Sequence, residues 1–320
     1  MNGTLLSIQN LKTYFDLGDK IIRAVDGVTF TLKEGEVLGL AGETGCGKTV
    51  LGRSIICLIP NPPGKICDGR IIFKQRDILR LSERELRKIR GKEISMIFQE
   101  PSVALDPCFT VGSQIAEAIQ LHQGTNNRET WERVLEIMEK VGIADPKRTA
   151  REYPHQFSGG MKQRIMIAIA LACRPSLLIA DEPTTALDLT IQLQILRLLQ
   201  KLKKEFDTSI ILISHDMEVI AEMCNKLAIM YMGKIVEFRD VDNFFDHPMH
   251  PYSVGLLKSI PSLETERSYL DVIRSNVEAY TFQPHQCKFL PRCDRAISIC
   301  HQEEPPVKDI VGGTVSCHLF

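Results

Sequence analysis

The stretch GETGCGKT, residues 42–49, constrains this chain more than any other. It matches G-x-x-x-x-G-K-[ST] at every fixed position. Gly42, Gly45 and Gly47 let the backbone curl until successive N–H groups point at phosphate oxygens, while Glu43, Thr44 and Cys46 fill the variable positions. The helix that follows adds its positive end. Lys48 then reaches the β- and γ-phosphates, and the Thr49 hydroxyl ligates Mg²⁺. A plain glycine turn can carry the same letters, but here the loop joins the apolar run EVLGLA to the helical pattern KTVLGRSII. Two further runs, SLLIADEP (176–183) and SIILISHD (209–216), read as apolar strands ending in two carboxylates and in a histidine. Between them LTIQLQILRLLQKLKKEF (189–206) repeats apolar residues at helical spacing and closes with lysines, which suit a helix C-terminus. Uninterrupted apolar strands separated by helices predict an α/β fold, a parallel sheet covered on both faces.

Residues 100–157 break that rhythm. VGSQIAEAIQLH (111–122) and ETWERVLEIMEKVG (129–142) read as helices inserted into the sheet domain. Beyond about residue 240 the prolines and histidines rise, as in HPMHPYS, and thiols cluster, which places a second module at 241–320.

Asp181 and Glu182 end the second apolar strand. Beside a bound triphosphate Asp181 would hold Mg²⁺, directly or through water, and Glu182 would orient or deprotonate the attacking water. The bland alternative is a solvated acidic strand end, but a phosphate loop needs a metal-binding acid. A second loop, FSGGMKQR (157–164), opens another helix. Ser158 is a natural N-cap, and Gly159 and Gly160 allow a ligand to approach closely. One nucleotide does not need two such loops from one chain. A dimer uses both: the 158–160 loop of one subunit closes on the γ-phosphate held by the 42–49 loop of the other, so that ATP joins the subunits and hydrolysis releases them.

In order and spacing, GETGCGKT, Gln99, FSGGMKQR, LLIADEP, ALD (186–188) and His215 resemble the ATP-binding cassette of ABC transporters over about residues 5–240. The resemblance implies a RecA-like parallel sheet core, an antiparallel β subdomain and a helical subdomain at about 100–164, all within residues 1–240. It assigns Gln99 to a switch loop that senses Mg²⁺ and the membrane partner, His215 to the γ-phosphate, and Asp188 to signalling across the dimer. An aromatic near the N-terminus stacks on adenine in such cassettes. Phe15 fits, lying 33 residues before Lys48, with Tyr14 as the fallback. Three departures are mild: Phe157 stands where Leu is commoner, Met161 where Gln is usual, and Cys46 replaces a small residue, which predicts sensitivity to thiol reagents.

HPYSVGLLKSIP (250–261), QEPSVALDP (99–107) and YPHQFSGGMKQR (153–164) are similar to ATPases of oligopeptide and dipeptide importers, a group that includes nickel importers; the dipeptide branch fits best. That implies a peripheral ATPase on the cytoplasmic face of two transmembrane permease subunits. It would pair with a second ATPase or with itself, and an extracytoplasmic binding protein would deliver the peptide. The helical insertion and the loop after Gln99 would receive the permeases' short cytoplasmic helices.

Cys287, Cys293, Cys300 and Cys317 are separated by 5, 6 and 16 residues, with no C-x-x-C. By themselves they leave three readings: a [4Fe–4S] cluster, which tolerates varied spacing, a zinc ion, or unligated thiols. So small a module, poor in core residues, also calls for a staple. The resemblance favours the cluster, in a structural or regulatory role, since transport needs no electron. His285, His301 and His318 lie near enough in sequence to replace a thiol, but solvation is the simpler expectation. The other six of the ten cysteines stand singly and are expected to fill space.

A net charge of -1 excludes a non-specific nucleic-acid binder, for which a basic excess is usual. The opening MNGTLLSIQNLK lacks a basic start followed by an apolar core, so no signal peptide is expected. The longest apolar run, IMIAIALAC (165–173), is too short to span a membrane and reads as a buried helix. Chromosome ATPases with this cassette insert very long coiled coils between their phosphate motifs, and no sustained heptads separate Lys48 from Asp181. Ribosome-associated relatives carry two cassettes, and a P-loop kinase would lack FSGGM.

Overall fold

The computed structural model describes residues 3–185, 187–259 and 285–320. Ala186 of the ALD motif, residues 260 and 261 of HPYSVGLLKSIP, and residues 262–284 of the C-terminal module lie outside the described residues. The chain begins with β1 (Thr4–Asp16), β2 (Ile21–Lys33), β3 (Val37–Ala41), α1 (Lys48–Ile55), β4 (Gly64–Phe73) and β5 (Arg76–Asp77). There follow α2 (Glu83–Ile89), β6 (Ile94–Ile97), α3 (Pro101–Ala104), α4 (Val111–Gln123), α5 (Asn127–Lys140), α6 (Pro146–Thr149) and α7 (Gly159–Leu171). Next come β7 (Leu177–Asp181), α8 (Leu189–Phe206), β8 (Ser209–Ile213), α9 (Met217–Met223), β9 (Lys226–Tyr231) and β10 (Lys234–Asp240). The chain closes with α10 (Val241–Asp246), α11 (Pro251–Lys258), β11 (Val307–Ile310) and β12 (Gly313–Ser316). Two compact units result: Met1–Leu6, Leu32–Val37 and Ile72–Ile213 form one, and Ser7–Thr31, Leu38–Ile71 and Ser214–Phe320 the other.

In the first unit β8, β7 and β6 lie side by side and parallel, with Leu177 opposite both Ser209 and Ile94. Every residue of the three strands is buried, as expected for strands covered on both faces. Each Leu or Ile so buried contributes about 1.5–3 kcal/mol. α8 spans the residues its periodicity predicted and turns Ile195, Leu196, Leu198, Leu199 and Leu202 inward. The Asp188 carboxylate caps it, accepting the Ile191 N–H at 3.0 Å. The apolar run that begins at Ile165 lies largely on α7, which buries Ile165, Met166, Ile167, Ala168, Ala170 and Leu171. Among the described residues no helix is long and apolar enough to cross a membrane.

In the second unit β3 is buried at every position and runs parallel to β9. From β9 the sheet continues antiparallel through β10 and β12 to β11. The cysteine-bearing segment therefore completes a sheet begun by β3 and β9. A separate sheet has the order β2-β1-β4-β5, with β4 and β5 antiparallel. Ala41, Ile220, Leu227, Ile229 and Tyr231 share one apolar core with Tyr252 and Phe289 from the C-terminal segment.

Candidate nucleotide-binding site

β3 delivers the chain into the phosphate loop, and the loop's shape depends on glycine at both ends. Gly42 has φ 146° and Gly47 has φ 109°. A Cβ at Gly42 would lie 2.1 Å from the Met230 carbonyl oxygen, and one at Gly47 2.0 Å from that of Ala24. α1 starts on Gly47 with no side-chain cap and no acidic residue in its first turn. Its positive end is thus left to an anion. Lys48 is 5% exposed, and its Nζ donates to the carbonyls of Gly42 at 2.7 Å and Glu43 at 3.0 Å. Thr49 occupies the next helical position.

The structure corrects the expectation for Cys46. The thiol is buried, and burial pushes its pKa up despite the nearby Lys48. A hidden, protonated thiol is a poor nucleophile, so reactivity toward thiol reagents is not expected there.

Of the two aromatic candidates, Tyr14 is already engaged. Its hydroxyl donates to Asp26 Oδ1 at 2.7 Å, and the Arg23 guanidinium lies 5.6 Å from its ring centre. Phe15 is half-buried, close enough to Gly64 that a Cβ there would meet its ring at 2.7 Å. His215 is exposed and shares a cavity of about 380 Å³ with Gly42, Met217 and Leu256.

The first unit holds the remaining motif residues. Asp181 ends β7 and is 1% exposed. Glu182 follows with φ 46°, a left-handed conformation that is costly for a residue bearing a Cβ. Its N–H donates to the Ile213 carbonyl at 3.0 Å. Its Oε2 accepts from Gln99 Nε2 at 3.0 Å and from the Thr185 hydroxyl at 2.9 Å. Glu182 and Gln99, 83 residues apart, thus meet directly. Ser158 caps α7, its hydroxyl accepting the Met161 N–H at 3.4 Å, and Ser158 and Gly159 are exposed. Gly160 leaves no room for more: a Cβ would sit 2.8 Å from Ile191 Cγ2. Asp188 is exposed on its helix cap.

Sequence reasoning missed a group of residues from the C-terminal segment. Arg292 makes a two-point ion pair with Glu43, 2.7 Å at each contact. The Tyr252 hydroxyl accepts the Glu43 N–H at 2.7 Å. Lys288 Nζ donates to Asp26 Oδ2 at 2.9 Å and to the Met232 carbonyl at 3.0 Å. Burial opposes ionisation of Asp26, but the hydrogen bonds from Tyr14 and Lys288 hold its carboxyl below the usual range. Local pattern offers no signal for pairs 249 and 262 residues apart.

Lys288 and Arg292 flank a small cavity's thiols in sequence. Cys287, Cys293, Cys300 and Cys317 all line that cavity, with His250, Phe289 and His318. The Cys287 N–H donates to the Cys300 carbonyl at 3.1 Å. Burial, with the neighbouring thiols adding, pushes Cys287 up to about 11. His285 and His301 are exposed as expected, whereas His318 is half-buried at the cavity wall. Among the described residues no three His, Cys, Asp or Glu side chains are grouped so as to hold a single metal ion.

Comparison with known proteins adds context to this geometry. A family profile described as ABC transporter matches residues 25–185. One described as oligopeptide/dipeptide transporter, C-terminal region, matches residues 236–300. The chain is 45% identical over 319 residues to the oligopeptide transport ATP-binding protein AppD of Bacillus subtilis, covering 99% of this chain and 97% of that protein. It is 42% identical over 315 residues to the dipeptide transport ATP-binding protein DppD of Escherichia coli, covering 98% and 96%. Among solved structures it is similar to the dimeric ATP-binding cassette MJ0796 bound to ADP and Pi, with a TM-score of 0.66 and 29% identity over 74% of this chain and 98% of that one.

Proposed function

Because the chain belongs to the ABC transporter ATP-binding family, we propose that it is the ATPase of a di- or oligopeptide importer, working from the cytoplasmic face of two permease subunits. One observation carries the reading: the chain matches peptide-transport ATP-binding proteins end to end and keeps every catalytic residue type of the cassette. ATP is the substrate and Mg²⁺ its companion ion. The phosphate loop with Lys48 binds the triphosphate, Thr49 and Asp181 hold Mg²⁺, and Phe15 stacks on adenine. Glu182 activates water, and Gln99 orients Glu182 while sensing the metal and the permease. His215 contacts the γ-phosphate, and the Ser158–Gly160 helix tip closes on the nucleotide of the second ATPase subunit. Support for dimerisation comes from the exposure of Ser158, Gly159 and Asp188 and of Leu189, which is 71% exposed. Support for permease docking comes from Val103, 78% exposed, and Phe109, 58% exposed, in the segment after Gln99.

Residues 1–240 form the cassette and 241–320 the importer-type module, which in this reading holds a [4Fe–4S] cluster on Cys287, Cys293, Cys300 and Cys317. The donor set fits such a group. Four thiols lining one cavity supply the four-cysteine donor set that such a cluster takes. Bound iron would reverse the effect of burial and hold the thiolates ionised. Anaerobic purification should give brown protein with about four irons and four acid-labile sulfides per chain. Colourless protein with equimolar zinc would remove the cluster and leave the ATPase reading intact.

The functional reading is tested by reconstituting the chain with its two permeases, partner ATPase and binding protein in proteoliposomes. Peptide should stimulate ATP turnover and accumulate with it. Turnover indifferent to any di- or oligopeptide would overturn the importer assignment.

A further inference from the structure

Glu43, the second residue of the phosphate loop, puts a carboxylate in the segment that is to bind a triphosphate. Such a charge opposes a polyanion unless something cancels it. Arg292 meets it with a parallel two-point pair, Nη1 on Oε2 and Nη2 on Oε1, each at 2.7 Å. The guanidinium has little freedom to leave: its side chain is 5% exposed, and it lies 5.7 Å from the Tyr231 ring centre. Tyr231 in turn packs on Tyr252 and Phe289, with ring centres 4.7 and 5.2 Å away. On the backbone side the Glu43 N–H is taken by the Tyr252 hydroxyl, and Tyr252 is fully buried. Burial raises its pKa, so the hydroxyl stays neutral. Both the charge and the orientation of Glu43 are therefore set by the C-terminal segment, from α11 and from the turn Leu290–Arg292 that leads into Cys293.

We propose that Arg292 is a positioning residue for ATP binding: by neutralising and orienting Glu43 it makes the phosphate loop receptive to a triphosphate, so that the C-terminal segment sets nucleotide affinity. The proposal rests on the reading of residues 42–49 as the nucleotide site. A merely structural clamp and a charge-compensating one differ in a double variant. If Arg292 acts by cancelling Glu43, removing both charges restores binding; if it only braces the fold, the double variant is as poor as the worse single.

The test is nucleotide binding by the purified full-length chain, using competition of ATP and ADP against a fluorescent mant-nucleotide, with thermal melts alongside. Arg292→Met should weaken ATP binding about tenfold, and ADP binding less, because ADP carries less charge. Arg292→Met combined with Glu43→Gln should return ATP affinity to within about threefold of wild type, and Arg292→Lys, which keeps the charge, should do the same. Wild-type affinity in Arg292→Met, or no recovery in the double variant, overturns the proposal. If Arg292→Met fails to fold, Arg292→Gln, which loses the charge but keeps a hydrogen-bonding side chain, decides: ATP binding about tenfold weaker bears the role out, and wild-type affinity overturns it. Lys48→Ala is the control for the underlying reading. Should it bind ATP normally, the nucleotide site is misassigned; should it fail while the Arg292 variants behave as wild type, only the positioning role falls.

Discussion

Glu182 combines a left-handed backbone with two side-chain hydrogen bonds, and strain of this kind persists where surrounding contacts over-determine a residue. β7 pairs with β8 as far as Asp181 opposite Ile213, and the next N–H bonds to Ile213 again, so the chain turns sharply at the strand tip. Glu182→Gln keeps the shape and removes the carboxylate that the proposed function uses as base. Phosphate release should fall at least about 100-fold while ATP still binds; turnover at the wild-type level would show that Glu182 does not activate water. Gly47→Ala should lower the melting temperature and abolish ATP binding together, because its methyl would enter the Ala24 carbonyl at a φ that other residues avoid. A variant that melts and binds as wild type would refute that reading of the loop.

Elements were legible in the sequence where the signal was local. β3, β7 and β8 are apolar over nearly their whole length, α8 repeats at helical spacing, and GETGCGKT must join a strand to a helix. What stayed hidden depends on distant pairing. β11 and β12 are four residues each and mostly not buried, Val315 apart, too short for any alternation to mark a core face, and β12 finds its place on β10 through backbone hydrogen bonds. Glu43, at a variable position of the loop motif, gave no hint that Arg292 would hold it. Cys46 looked reactive because a motif records residue type and not burial. A further tie of this sort joins β5 to the start of β6: Arg76 Nη2 donates to both carboxylate oxygens of Glu93, at 2.8 and 2.7 Å. Burial opposes ionisation of Glu93, but Arg76 and Lys74 more than offset this and hold its carboxyl below the usual range. A depressed carboxylate stabilises the fold above its unfolded pKa and loses that contribution as pH falls through the folded one. Wild type should therefore melt above Glu93→Gln at neutral pH, with the gap closing below about pH 4. A gap independent of pH would mean that the pair contributes through packing and not through charge.

At the scale of the whole molecule, Gln99, Ser158, Asp181 and Glu182 fall in one compact unit and residues 42–49 and His215 in the other, and the C-terminal segment belongs to the unit that carries residues 42–49. That segment holds Glu43 of the loop through Tyr252 and Arg292, and Arg292 adjoins Cys293 of the four-thiol cavity in sequence. Ser158 and Gly159 are exposed at the tip of α7, beyond what capping that helix requires. In the proposed function that exposed tip closes on the nucleotide of a second ATPase subunit. The most direct measurement is a structure of the Glu182→Gln protein in its assembled importer with ATP and Mg²⁺. Ser158 of one ATPase subunit should lie about 3 Å from the γ-phosphate held by the phosphate loop of the other. A nucleotide-filled assembly with Ser158 remote from every γ-phosphate would contradict a nucleotide shared between two chains.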